Sequence, residues 1–268
     1  MPRRARSPHP GAPSRASERV SGLPEGWAAF LVLAPIAFGG AILYGLSGFG
    51  SALITVPLAA QFFPLPFVIA TFSLVDLTGA LRIGLENPRH AVRGEVARMA
   101  PMIAVGLALG VTALVKLPRE ASMLALGVFI SAYALYSLAR RATHGQVSQR
   151  WAYVAGVSGG VTGTLFGAGG PPYAIYLSHR PLTKEQFRAT LTMTSIFSIG
   201  LRVVAFLIAG FLVDLRVWVA AAIAIPATLA GIAVASRIFH RVSREAVMRV
   251  VAATLLAAGV TLIVRAVG

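Results

Sequence analysis

Apolar segments alternate with short loops along most of this chain, and the loops hold most of its charged residues. Ten apolar segments lie at 27–46, 50–63, 67–83, 99–117, 121–138, 151–166, 171–179, 189–213, 217–238 and 247–266. A helix needs about 20 residues to cross a bilayer, so the second and seventh segments are too short. The pattern predicts an all-α polytopic membrane protein with about 8–10 hydrophobic segments.

A glycine-rich, uncharged element precedes each of the two short segments. The first is Gly45-Leu46-Ser47-Gly48-Phe49-Gly50-Ser51, and the second is the run GTLFGAGGPP at 163–172. Broken backbone inside a membrane persists only where protein or a water-filled cavity supplies hydrogen-bond partners. A matched pair of breaks in two halves of a chain is typical of a transporter binding site. Each short segment is therefore predicted to be the returning half of a broken or re-entrant helix hairpin.

The sequence around these elements repeats. At an offset of 119, Gly48 and Gly50 align with Gly167 and Gly169. At an offset of 125, the triplet Arg-Glu-Ala at 119–121 recurs at 244–246. The ordered matches predict two homologous membrane repeats, at 27–138 and 151–268, joined by a basic connecting loop at 139–150.

Charge placement bears on topology. The formal net charge is +15, and basic residues concentrate in alternate loops, which the positive-inside rule places in the cytoplasm. This alternation favours an outside N-terminus and, with five segments in each half, inverted repeats. The alternative is an inside N-terminus with eight crossings and parallel halves, which the five arginines of the tail favour. The tail at 1–26 is predicted to be disordered and basic.

Several function classes are disfavoured by the same residues. The basic residues are dispersed between apolar segments, which does not fit nucleic-acid binding. The chain has no cysteine and no His/Asp/Glu cluster with metal-ligand spacing, so no cofactor or metal is predicted. No nucleophile–base constellation is visible, so the chain is predicted not to be an enzyme. An integral membrane enzyme using Asp76, His179 or Glu185 stays as an alternative.

The glycine elements are the first candidate binding site. Helices that begin near Ser51 and Pro171 would direct their positive dipole ends and free N–H groups at an anion. Glycines let the backbone approach a ligand closely. The alternative is that small residues only allow close helix packing. The predicted substrate-binding residues at the two tips are Ser47, Gly48, Gly50, Ser51, Gly167, Gly169, Gly170 and Pro171.

Ionisable residues within apolar segments are the second candidates, because their burial in a membrane is costly. Arg202 lies midway along 189–213, Asp76 lies inside 67–83, and Arg82 lies near the end of that segment. We predict that Arg82 and Arg202 bind the anion, since guanidinium can hold an oxyanion with two parallel bonds. The alternative for both arginines is snorkelling to an interface. Asp76 is predicted to couple protons, or to be only a partner for Arg82.

At 45–51 and again at 157–172, this chain resembles the sulfite exporter (TauE/SafE) family of bacterial membrane proteins. The similarity covers roughly 27–268. It implies a multi-pass permease of the bacterial inner membrane, built from duplicated halves, that moves small sulfur-containing anions such as sulfite or organosulfonates.

The resulting hypothesis is a secondary transporter in which one repeat rocks against the other to give alternating access. A passive anion channel is the main alternative, and a non-catalytic assembly or receptor subunit is a further one. The expected partners are a small anionic substrate and the lipid bilayer, but no nucleic acid. The sequence leaves the oligomeric state open, with a homodimer as one option.

Overall fold

The computed structural model describes residues 27–47, 51–84, 88–139, 147–238 and 244–267. Within these ranges the chain is helical and contains no strand. Short 3₁₀ helices lie at Trp27–Val32 and Pro88–His90. The predicted disordered tail, Gly48 and Gly50 lie outside the described residues. The α-helices are α1 Leu33–Ser47, α2 Ser51–Ala59, α3 Leu65–Gly84, α4 Arg93–Lys116, α5 Arg119–Ala139, α6 Trp151–Phe166, α7 Gly170–Ser178, α8 Lys184–Ile208, α9 Leu215–Ile238 and α10 Arg244–Val267.

Each predicted apolar segment corresponds to one helix. Five stretches are long and apolar enough to cross a membrane: Ala29–Leu46, Leu65–Gly84, Arg93–Lys116, Lys184–Ile208 and Leu215–Ile238. Shorter apolar stretches lie within α5 and α10. Several helices begin earlier than the apolar segments predict, because their first turns carry charged residues. The protein is therefore an α-helical, multi-pass membrane protein.

The helices α6 and α7 form a re-entrant hairpin, which we call the second hairpin. α7 folds back along α6, so that a Cβ added at Gly159 would collide with the ring of Tyr173. At the other end of the hairpin, the N–H of Val147 donates to the carbonyl of His179 at 3.3 Å. The hairpin therefore enters and leaves at the same end of the molecule, as the short segment predicts.

A buried ionic cluster closes that end of the second hairpin. Glu95 in the first turn of α4 is 3% exposed. Its carboxylate accepts hydrogen bonds from the Tyr176 hydroxyl and, at 3.1 Å, from Arg180 Nε. Arg98 Nη1 lies 3.1 Å from the same carboxylate. We call this the ionic end of the molecule.

The helices α1 and α2 form the first hairpin in the same way. A Cβ added at Gly40 would collide with Thr55, so α2 folds back along α1. Phe30, before α1, stacks on Phe63 and Phe67 with ring centroids 5.8 and 5.7 Å apart. The start of α1, the end of α2 and the start of α3 therefore meet at an aromatic end. The 20 residues of α3 span about 30 Å from there towards the ionic end.

The helices α4 and α6 pack side by side with their backbones almost in contact. A Cβ added at Gly106 would collide with the carbonyl oxygen of Val157. Further along, a Cβ at Gly110 would lie 2.6 Å from Cβ of Thr164. The contacting positions ascend together, so the two helices run parallel.

The same arrangement joins α1 to α9. A Cβ added at Gly231 would lie 2.5 Å from the carbonyl oxygen of Phe38, and one at Gly45 would lie 2.5 Å from Cβ of Ala235. These positions also ascend together. The first helix of each half therefore packs against the fourth helix of the other half.

Candidate functional site

A polar cavity lies where the tips of the two hairpins meet. Its volume is about 40 Å³. A space of about 10–15 Å³ holds one water, so the cavity accommodates a few waters or one small oxyanion. The predicted site residues that line it are Ser51, Asp76, Gly167, Gly169, Gly170, Pro171 and Arg202. The other lining residues are Tyr44, Ala52, Gly163, Ala168, Tyr173, Ser195, Ser198 and Ile199.

Gly167 allows the two tips to approach each other. Its φ of +70° lies in the left-handed region, and its N–H donates to the carbonyl of Gly163 to end α6. A Cβ at this position would lie 2.9 Å from Cβ of Ala52 in α2 and 3.1 Å from Val56. Glycine is thus required twice here, by backbone conformation and by the neighbouring helix.

The two helix N-termini at the cavity differ in their hydrogen-bonding capacity. The first N–H groups of a helix have no acceptor within the helix. α2 begins with Ser51, Ala52 and Leu53, which all carry an N–H. α7 begins with Gly170 and continues with Pro171-Pro172, which carry none. The first hairpin therefore offers more backbone donors than the second, although both present positive dipole ends.

Two buried charges face the cavity. Asp76 in α3 is 8% exposed and Arg202 in α8 is 3% exposed. One Asp76 oxygen accepts a hydrogen bond of 2.7 Å from Ser51 Oγ. The other lies 3.8 Å from Arg202 Nη2, which is too long for a hydrogen bond. The carboxylate therefore pairs electrostatically with Arg202 while Ser51 fixes its position.

Arg202, which lines the cavity, retains an unused donor. Its Nη1 donates to the carbonyl of Gly163, near the negative end of the α6 dipole. Among the described residues, its buried Nε has no hydrogen-bond partner. A guanidinium carries five N–H donors and cannot lose its charge. Arg202 can therefore bind an oxyanion without giving up its bond to Gly163.

Sequence reasoning missed several lining residues. Ser195 and Ser198 line the cavity, and the hydroxyls of Ser198 and Tyr173 lie 3.0 Å apart. Positions 195, 198 and 202 recur at helical spacing on one face of α8, so the face around Arg202 contained a signal for both serines. Tyr44 gave no comparable signal, because α1 is apolar around its whole circumference.

Of the remaining predicted residues, Gly48, Gly50 and the side chain of Ser47 lie outside the described part of the chain, and Arg82 is not brought to the cavity. Arg82 is exposed, two residues before α3 ends, and it does not line the cavity. Asp76 contacts Ser51 and Arg202 in place of Arg82. Ser47 is the last residue of α1. The position of Arg82 agrees with the snorkelling alternative, because an arginine near a helix end can extend its guanidinium to the interface.

Comparison with known proteins gives one finding about this chain. The family model described as sulfite exporter TauE/SafE matches residues 33–262. No curated protein and no solved structure matches. The matched range runs from the first residue of α1 into α10 and includes every residue that lines the cavity.

Proposed function

The chain belongs to the sulfite exporter TauE/SafE family, and from that premise we propose that it is a secondary transporter of the bacterial inner membrane. Its substrates are small sulfur-containing anions such as sulfite or organosulfonates. The anion binds in the cavity between the hairpin tips, and access to the cavity alternates between the two sides of the membrane.

The observation that carries this proposal is Arg202. An arginine that is 3% exposed and has unpartnered Nε is an expensive feature in a membrane protein. An oxyanion beside it would satisfy the free donors and balance the positive charge. The N–H groups at the start of α2 face the same cavity and favour the same sign of ligand.

Matched features of the two halves support the proposal of duplication. α1 ends at Ser47 and α2 begins at Ser51, each 119 residues before the equivalent boundaries at Phe166 and Gly170. The carbonyls that crowd Gly231 and Gly106 are those of Phe38 and Val157, which also lie 119 residues apart.

The two hairpins open at opposite ends of the molecule, which supports inverted repeats and alternating access. The first opens at the aromatic end, where Phe30 meets Phe63. The second opens at the ionic end, where Val147 meets His179. The predicted basic loops adjoin helices at the ionic end, so we assign that end to the cytoplasm.

Sulfite flux into proteoliposomes tests the proposed function. We expect saturable flux that is accelerated by sulfite on the opposite side. Flux that does not saturate and shows no such acceleration would identify a passive channel instead, and no flux of any sulfur oxyanion would refute the proposal.

Arg202→Gln tests the role of the cavity in that assay. Loss of charge-assisted hydrogen bonds is worth about 1.5–3 kcal/mol, so we expect affinity for sulfite to fall about 10- to 100-fold. Arg82→Gln is the matched control and should leave affinity within about twofold, because Arg82 lies outside the cavity.

A second variant separates anion binding from charge pairing. If Arg202 served only to neutralise Asp76, the double variant Asp76→Asn/Arg202→Gln would recover sulfite affinity. We expect no recovery, because the substitution removes the donors that hold the anion. Full recovery would contradict the assignment of Arg202 as a binding residue.

A further inference from the structure

One face of α8 leads from the surface of the molecule to the anion cavity. Arg188, Ser195 and Arg202 follow one another at intervals of seven residues, which places them on the same side of a helix. Arg188 is exposed, Ser195 is partly buried and Arg202 is 3% exposed. Exposure to solvent therefore falls stepwise along this face, from the outer arginine to the one in the cavity.

The start of α8 lies at the ionic end of the molecule. The N–H of Val92, just before α4, donates to Thr190 Oγ1 at 2.9 Å. Glu95, the carboxylate of the ionic end, follows in the first turn of α4. Arg188 lies two residues before Thr190 in α8. The exposed end of this face is therefore at the ionic end, where the second hairpin also opens.

Arg188 lies on the side of α8 that borders the cavity wall. Tyr44, which lines the cavity, interacts electrostatically with Arg188. The last turns of α3 contact both helices. A Cβ added at Gly79 would lie 3.7 Å from the ring of Tyr44, and one at Gly84 would lie 3.0 Å from Thr192, one turn after Arg188. The end of α3 thus holds Tyr44 and this part of α8 close together.

The guanidinium of Arg188 is not used by the ionic end. Arg98 and Arg180 both pair with Glu95 there. In the part of the chain that the structure describes, no carboxylate forms an ion pair with Arg188. Its positive charge is therefore available to an anion that arrives from solution.

We propose that Arg188 is an outer anion-binding site at the mouth of the route from the ionic end to the cavity, where it captures the substrate before Arg202 binds it. This step rests on the proposed function. Surfaces lined by one sign of charge concentrate ions of the opposite sign and accelerate their association. Ser195 lies between the two arginines and lines the cavity, so its hydroxyl can donate to the anion midway.

Sulfite uptake into inverted membrane vesicles, which expose the cytoplasmic face, tests the outer site. Arg188→Gln should raise KM about fivefold at low ionic strength, because a unit charge about 4 Å away in water changes the local anion concentration by about that factor. At about 1 M salt the difference from wild type should disappear, since exposed charges are then screened. The maximal rate should be unchanged, because Arg202 and the cavity are intact.

Two further variants separate capture at this position from a general loss of positive charge. Arg150→Gln removes the same charge from another exposed arginine, just before α6, that does not line the cavity, and it should leave KM unchanged. Arg188→Lys keeps the charge and should keep the low KM. Equal KM values for Arg188→Gln and Arg150→Gln at every salt concentration would overturn the proposal, as would equal KM values for Arg188→Lys and Arg188→Gln.

Failure of this inference is distinguishable from failure of the proposed function. Saturable sulfite flux with the same KM in wild type and Arg188→Gln would retain the transporter and remove the outer site. The absence of flux for every sulfur oxyanion would refute both. An effect of Arg188→Gln that appears only in vesicles of the opposite orientation would contradict a mouth at the cytoplasmic end.

Discussion

The two hairpins share one backbone design but close their outer ends with different chemistry. At the aromatic end, Phe30, Phe63 and Phe67 stack against one another. At the ionic end, the buried carboxylate of Glu95 accepts hydrogen bonds from Tyr176 and Arg180. Stacked rings depend on close packing alone, whereas the carboxylate depends on retaining every partner. The same hairpin geometry is thus closed by apolar contacts at one end and by charge at the other.

The tips of the hairpins differ as well. The first supplies Ser51 and the N–H groups of α2, whereas the second supplies the bare backbone around Gly167 and the proline start of α7. Each hairpin adjoins a charged residue from a third helix of one half, Asp76 in α3 and Arg202 in α8. The paired hairpins therefore create the cavity, and their unequal side chains give it polarity.

The outer ends provide the largest expected effects. Glu95→Ala should lower the free energy of unfolding by about 3–5 kcal/mol, because it leaves the buried Tyr176 hydroxyl and the partly buried Arg180 without their carboxylate. Phe63→Ala should cost a similar amount, about 3–5 kcal/mol, through lost packing. Denaturant unfolding of both variants measures this. A cost below about 1 kcal/mol for Glu95→Ala would contradict a structural role for the ionic end.

A double-mutant cycle distinguishes the two ends. Glu95→Ala combined with Arg180→Ala should show a coupling energy of about 0.5–3 kcal/mol. The coupling should be absent between Glu95→Ala and Phe63→Ala, because these residues lie at opposite ends of the molecule.

The glycine contacts come next in size and test whether the halves are equivalent. Gly106→Ala and Gly231→Ala each direct a methyl group at a carbonyl oxygen of the neighbouring helix. Overpacking of this kind costs about 1–3 kcal/mol, and we expect similar losses of unfolding free energy in the two variants. Gly39→Ala is the control, because nothing lies within 4 Å of its added methyl. Strongly unequal losses of unfolding free energy at positions 106 and 231 would argue against equivalent packing in the two halves.

The smallest expected effect concerns the contact between the tips. Gly167→Ala should cost about 1–2 kcal/mol through its left-handed backbone, and it should also lower sulfite affinity because its methyl meets Ala52. Gly210, with φ +81°, lies outside the cavity, so Gly210→Ala should show the strain without the loss of affinity. Equal affinities in the two variants would show that the tips do not need close approach.

Much of the helix arrangement was predictable from the sequence, because it follows local patterns. Glycine interruptions marked both hairpins, and apolar length separated crossing helices from returning ones. Arg202 and Asp76 stood out because charged residues rarely interrupt apolar segments. These signals lie within single segments, so they can be recognised without knowledge of the fold.

The remaining features depend on contacts that are distant in sequence. Glu95 lies before an apolar segment, and only Tyr176 and Arg180, at the end of the second hairpin, reveal it as buried. Arg82 and Arg202 look alike in sequence, but α3 ends shortly after Arg82 while α8 carries Arg202 into the cavity.

The first helix of each half packs against a helix of the other half, and this has a consequence for biosynthesis. α1 presents Gly45 to Ala235, yet α9 begins only at Leu215, long after α1 has left the ribosome. The glycine surface of α1 therefore has no packing partner in the bilayer until most of the chain has been synthesised. A nascent chain that stops at the connecting loop holds three helices, α1, α4 and α5, whose partners α9, α6 and α10 do not yet exist. Assembly of either half is thus a late event, completed only when the last helices are inserted.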